Sequence, residues 1–152
     1  MAALEDYTFR TGGAELLDAV APLWRELCDH HAKVAPVFAP WFQCREFRDR
    51  AAEILAHAQG GLQVQLAQPA AACGTVPVGF CICSMAACGA GEVDSIYVQP
   101  AHRGAGIGEA FMHAGLTWLE GQGASPISLA VVSGNDRAMR WYARFGFTPR
   151  RV

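Results

Sequence analysis

The run PVGFCICSM, residues 77–85, is apolar at nearly every position. A strand that alternates can hide one face and wet the other, but an unbroken apolar strand has to be covered on both. That requirement excludes an open hairpin and a one-layer sheet. It asks for helices above and below a sheet, an α/β domain.

The rest of the chain supplies those elements. DYTFR at 6–10 alternates weakly before Thr11-Gly12-Gly13 and reads as a short strand and turn. LQVQL at 62–66 alternates cleanly, as a half-exposed strand would, while EVDSIYV at 92–98 and PISLAVV at 126–132 are further strands. From Ala14 to about His31, Leu16, Val20, Leu23, Trp24 and Leu27 recur at helical spacing, with Pro22 marking a kink or a restart. After the Pro-broken segment KVAPVFAPWFQ, a second helix spans about 45–58 with Phe47, Ala51, Ile54, Leu55 and Ala58 on one face, ended by Gly60-Gly61. Ile107, Ala110, Phe111, Ala114 and Trp118 define the buried face of a third helix. Asn135 caps a fourth, whose inward face is Ala138, Trp141, Tyr142 and Phe145 and whose end is Gly146. The tail FTPRRV has room for one partial strand. The order is β-α-α-β-β-β-α-β-α-β in one domain, 1–152, with no repeat and no linker.

Bulk properties narrow the function classes. A net charge of −2 argues against a general nucleic-acid binder. No run of about 18 apolar residues exists to cross a membrane. The start MAALEDYTFR lacks the apolar core of a secretory signal, so a cytoplasmic protein is expected. The six cysteines, at 28, 44, 73, 81, 83 and 88, form no pair of C-x-x-C units and are read as buried free thiols rather than a metal site.

HRGAGIGEAF, 102–111, places three glycines in five positions between a strand and a helix. The first N–H groups of a helix lack intrahelical partners and carry partial positive charge, so a loop stripped of side chains lets an anion reach them. Arg103 adds a cation at its lip. The phosphate-loop pattern G-x-x-x-x-G-K-S/T fails for want of a lysine, and the dinucleotide fingerprint G-x-G-x-x-G fails because Gly104, Gly106 and Gly108 alternate. By itself the glycine cluster leaves phosphate binding and an ordinary tight turn both open.

IYVQPAHRGAGIGEAFM resembles the acetyl-CoA-binding signature of the GNAT superfamily of N-acetyltransferases. Its core, R/Q-x-x-G-x-G/A, is matched by Arg103, Gly106 and Gly108, and Val98 and Pro100 keep the spacing before the arginine. A second element of the superfamily, N-x-x-A-x-x-x-Y-x-x-x-G-F, is matched by Asn135, Ala138, Tyr142, Gly146 and Phe147. The resemblance implies a mixed, mostly antiparallel central sheet flanked by four helices. It implies direct transfer of the acetyl group of acetyl-CoA to a primary amine of a small molecule or peptide, with no metal. The diphosphate would sit on the amides of Gly104, Ala105, Gly106, Ile107 and Gly108. The Val98 N–H would polarise the thioester where strands 92–98 and 126–132 splay, Asn135 would reach the pantetheine arm, and Tyr142 would be the general acid.

For the base, Glu92 and Asp94 share one face of an extended strand and are both candidates, Glu92 ranked first, with ordered water the alternative. His30 and His31, and the aromatic group Phe38, Trp41 and Phe42, are candidate acceptor contacts. Two other readings stay open: a non-catalytic acyl-CoA-binding or regulatory module on the same fold, and a nucleotide- or phosphate-binding protein using the glycine loop alone. Relatives of this superfamily usually carry two strands after G-F, whereas this sequence stops at Val152. One strand is then absent or supplied by a neighbouring subunit, which leaves a homodimer open.

Overall fold

In the computed structural model, which describes residues 2–71 and 76–150, β3 (Gly79–Met85) is buried at every residue, as its unbroken apolar run requires. Strands β1 (Tyr7–Gly12), β2 (Gly61–Pro69), β3, β4 (Gly91–Val98) and β5 (Ile127–Leu129) lie side by side in chain order. The first three junctions are antiparallel and the β4–β5 junction is parallel, bridged by α4 (Ile107–Gly121). One face of the sheet carries α1 (Leu17–Val34), α2 (Ala39–Cys44) and α3 (Phe47–His57). The other carries α4 and α5 (Asp136–Ala143).

Two cores result. Val20, Leu23, Trp24 and Leu27 of α1 pack with Val64, Leu66, Phe80 and Ile82 on one face. Phe111, Met112 and Leu119 of α4 pack with Cys81, Cys83, Met85 and Val93 on the other. Phe80 and Phe111 are fully buried on opposite faces, each worth about 2–3 kcal/mol of transfer free energy.

Several elements differ from the sequence reading. α1 continues through Pro22 as a single helix, without a restart. The Pro-broken segment adds a 3-10 turn (Pro36–Phe38) and the short α2, since Pro36 and Pro40 sit in first turns, where a missing N–H costs nothing. β2 is not half-exposed: Gln65 is buried and donates from Nε2 to the Phe111 carbonyl of α4 at 3.1 Å. On α3, Ile54 is buried but Leu55 faces solvent. The buried face of α4 is Ile107, Phe111, Met112, Gly115 and Leu119, so Ala114 is turned outward. Gly115 is there because a Cβ would lie 2.8 Å from Cys83 Sγ. β5 ends at Leu129, and Val132 leaves the sheet to pack against the α1 core. Residues 147–150 form no strand, and 151–152 lie outside the described residues. Cys28, Cys81 and Cys83 are buried free thiols, whereas Cys44 and Cys88 are exposed; Cys73 lies outside the described residues.

Candidate active site

β4 is paired on both sides only at its start. Gly91, Glu92 and Val93 face Ile127, Ser128 and Leu129, after which β5 stops and β4 continues to Val98. Against β3, Val93 opposes Cys83 and Ser95 opposes Ile82, leaving Asp94 as the extra residue of a β-bulge. The bulge reverses the parity of the backbone. Gly91 N–H donates to the Pro126 carbonyl at 2.9 Å, on the β5 side, whereas Gln99 N–H donates to the Val78 carbonyl at 2.9 Å, on the β3 side. Counting back from Gln99, the N–H groups of Val98 and Ile96 turn away from β3 into the gap left by β5.

The gap opens into a cleft of about 550 Å³ walled by the end of β4, the glycine loop, α5 and the end of α1. Gly104 and Gly106 hold φ of +89° and +94°, left-handed values that suit glycine, and Gly106 is the N-cap of α4. The first chain bond of this helix runs from the Ala110 N–H to the Gly106 carbonyl at 3.0 Å. Among the described residues, the N–H groups from Gly104 to Glu109 have no acceptor within the chain. Gly108 has ordinary φ and a different use: a Cβ there would sit 3.3 Å from the Trp141 indole, so its absence seats α5 against α4. Arg103 does not reach freely over the loop. Its Nε donates to the Val98 carbonyl at 2.8 Å, and its guanidinium lies 5.6 Å from the centre of the Tyr97 ring. Ala105 packs towards the α4 core and does not line the cleft with the other loop residues.

α5 supplies the opposite wall. The Asn135 side chain accepts from the Ala138 N–H at 3.1 Å and caps the helix. Tyr142 lines the cleft about two turns on; burial, with a lesser contribution from Cys81, pushes its phenol up to about 12. Residues 21–147 match the family model described as the Acetyltransferase (GNAT) family. The chain belongs to that family.

Among curated relatives, a mycothiol acetyltransferase of Streptosporangium roseum is 40% identical over 58 residues, covering 38% of this chain and 17% of that protein. This chain therefore spans about a sixth of that curated relative's length. Among solved structures, a putative acetyl transferase from Pyrococcus furiosus superposes with a TM-score of 0.67 at 22% identity, covering 96% of this chain and 95% of that one. An aminoglycoside N-acetyltransferase in complex with CoA gives a TM-score of 0.62 at 19% identity, covering 95% of each chain. At these identities the structural likeness concerns the fold.

In this GNAT chain, Val98, Arg103, Gly104, Gly106, Ile107, Gly108, Asn135 and Tyr142 meet around one cleft. Glu92 and Asp94 stand apart from it, against α3. Glu92 Oε2 is 3.4 Å from His57 Nε2, and Arg50 donates to the Asp94 carbonyl at 3.5 Å. Asp94 Oδ2 is buried without a hydrogen-bond partner, as is the hydroxyl oxygen of Ser84. Burial raises the Asp94 carboxyl to about 6; Ser84, Arg50 and His57 pull it down and Glu92 pushes it up.

His30 and His31 both line the cleft. Burial, aided by the charge of His30, lowers His31 to about 4, so its ring is neutral at physiological pH. Phe42 is buried with its ring 5.2 Å from that of His31, while Phe38 and Trp41 are exposed and lie outside the lining. Sequence reasoning missed Ile96, Tyr97 and Arg137 in the wall. The bulge that swings Ile96 into the gap has no signature in EVDSIYV. Among the described residues no cluster of three or more His, Cys, Asp or Glu is arranged to hold a metal.

Proposed function

We propose that this domain, 1–152, is an N-acetyltransferase moving the acetyl group of acetyl-CoA directly to a primary amine of a small molecule or peptide. The observation that carries it is the row of unengaged amides from Gly104 to Glu109, aligned with the open edge of β4. The amides fit a diphosphate, and the positive φ of Gly104 and Gly106 keeps side chains off its approach. The gap beyond Val93 fits the pantetheine arm, which would take the place of the absent strand pairing. Bound there, the thioester supplies an activated acetyl group.

The chain's residues do the rest. The Val98 N–H, with that of Ile96 turned the same way, donates to the carbonyl oxygen as charge builds on it. Tyr142 keeps its proton across the working pH range and donates a hydrogen bond to the departing sulfur. Asp94, titrating near 6, is better tuned than an ordinary carboxylate to take a proton from the acceptor ammonium, and from its place beside the cleft it would do so through water. Glu92 beside it is the second candidate. Unpaired buried thiols support a reducing, cytoplasmic setting, and β5, paired on one side only, keeps a homodimer in view.

Calorimetric titration with acetyl-CoA, CoA and ATP, followed by mass spectrometry of candidate amines, tests the reading. Micromolar binding of both CoA forms with acetylated product is expected. CoA binding with no product from any amine supports the regulatory module instead, and equal affinity for ATP supports a general phosphate binder.

A further inference from the structure

Tyr7 and His102 are separated by 95 residues of sequence, yet the Tyr7 hydroxyl and His102 Nδ1 are 2.8 Å apart and their rings meet edge to face at 5.6 Å. Tyr7 is the first residue of β1 and is buried. His102 closes the 3-10 turn Pro100–His102 that delivers the chain into the glycine loop, and it lines the cleft. That loop is thus tied down twice: by Arg103 to the last carbonyl of β4, and by His102 to the opposite edge of the sheet.

The direction of the hydrogen bond decides what His102 can do. Among the described residues the Tyr7 hydroxyl has no other partner. If Nδ1–H donated to it, the phenol proton would be left without an acceptor; if the phenol donates, only an oxygen lone pair goes unused. The phenol therefore donates, Nδ1 accepts, and the neutral ring carries its proton on Nε2.

Resting on the acetyl-CoA reading above, we infer that His102 is a further cofactor contact, donating from Nε2–H to the diphosphate, and that Tyr7 is the positioning residue that fixes its ring and tautomer. The glycine-loop amides grip the anion from the α4 side; His102, one residue before Arg103, adds a donor from the β1 side. Tyr7 lies outside the sequence signatures of the site, and His102, although it falls within the stretch IYVQPAHRGAGIGEAFM, is not one of the positions that match the motif.

The test uses the full chain. Nitrogen-15 NMR of the His102 ring should show the Nε2–H tautomer, and Tyr7→Phe should give a mixture of tautomers; an Nδ1–H tautomer in the unaltered protein overturns the inference. His102→Asn keeps an amide near the position of Nδ1 but lacks anything at Nε2, whereas His102→Gln places an amide nitrogen near Nε2. His102→Asn should weaken CoA and dephospho-CoA alike by about tenfold, the size of a lost hydrogen bond to a charged group, and leave acetyl-pantetheine unchanged. His102→Gln should restore most of the loss.

Tyr7→Phe should raise the KM for acetyl-CoA about threefold at unchanged kcat, and add nothing in the His102→Asn background. A loss shared by acetyl-pantetheine, a loss confined to CoA with its 3′-phosphate, additive effects of Tyr7→Phe, or no loss at all each overturns the assignment. Failure of the unaltered protein to bind CoA would instead sink the acetyltransferase reading on which it rests.

Discussion

The two faces of the sheet contribute to the site by different means. On the α4 face the proposed contributors are main-chain N–H groups from Gly104 to Glu109, which have no acceptor within the chain among the described residues, and what the sequence must provide is the absence of side chains. On the α1–α3 face the candidate contributors are side chains, Asp94 and His31, each holding a buried polar atom without a partner and each displaced from its ordinary titration range, Asp94 up to about 6 and His31 down to about 4. A backbone site is intolerant of any added atom and indifferent to pH. A site of buried titratable groups tolerates isosteres and responds to pH. Four tests probe that contrast.

Gly106→Val strikes the backbone side hardest. Its φ of +94° is costly for a β-branched residue, and the new side chain would stand over the free amides. Acetyl-CoA affinity by calorimetry should fall by more than about 100-fold, and retained affinity would refute the cradle. Tyr142→Phe comes next: turnover should drop about 100-fold while acetyl-CoA affinity changes little, as befits loss of a proton donor. If turnover is unchanged, another group faces the sulfur.

The third test concerns the other face and has a sign that depends on pH. Asp94 titrates near 6 in the folded chain against 3.8 ordinarily, so the stability it lends is full below about pH 4 and lost as pH rises through 6. Asp94→Asn should therefore stabilise the protein by about 2 kcal/mol at pH 7.5 and not at pH 4, read from denaturant unfolding. His31 titrates near 4 against 6.5, so its contribution is full above about pH 6.5 and lost as pH falls through 4. His31→Gln should raise acid stability and do nothing at pH 7.5. Parallel pH profiles for the two variants would contradict the assigned environments. If Asp94 is also the base, its replacement removes the acidic limb of the rate profile near pH 6, and Glu92→Gln does not.

Asn135→Ala is the smallest. Loss of the cap on α5 should cost about 1 kcal/mol of stability and raise the KM for acetyl-CoA only a few-fold. A loss as large as that of Gly106→Val would make Asn135 a ligand contact in its own right.

The same contrast governs what could be read from the sequence. The glycine loop, the Asn135 cap and the order of elements, apart from the added α2 and the final strand, were legible because each depends on local backbone requirements that particular residue types signal. The α1–α3 face was not, because its properties come from contacts far apart in the chain. Nothing near Asp94 in sequence announces that Ser84, Arg50 and His57 converge on it. The bulge at Asp94 depends on how β4 registers against β3 and leaves no mark in composition. Gln65 reads as a solvent-facing member of an alternating strand until Phe111 of α4 is seen to cover it. On α4, hydrophobic spacing chose Ala114 for the core, but the contact that matters is made by Gly115, a residue with no side chain to count.

That small residue also acts at a distance. Gly115 lies nine positions along α4 from Gly106, about 13–14 Å by the helical rise, and it lets the helix axis settle directly upon the sulfur of Cys83. The height of that seat sets how far the helix tip leans out over the strand ends. A single methyl group at 115, remote from any substrate, would act as a shim beneath the far end of a lever, and would be read out as weakened grip on the anion at its tip.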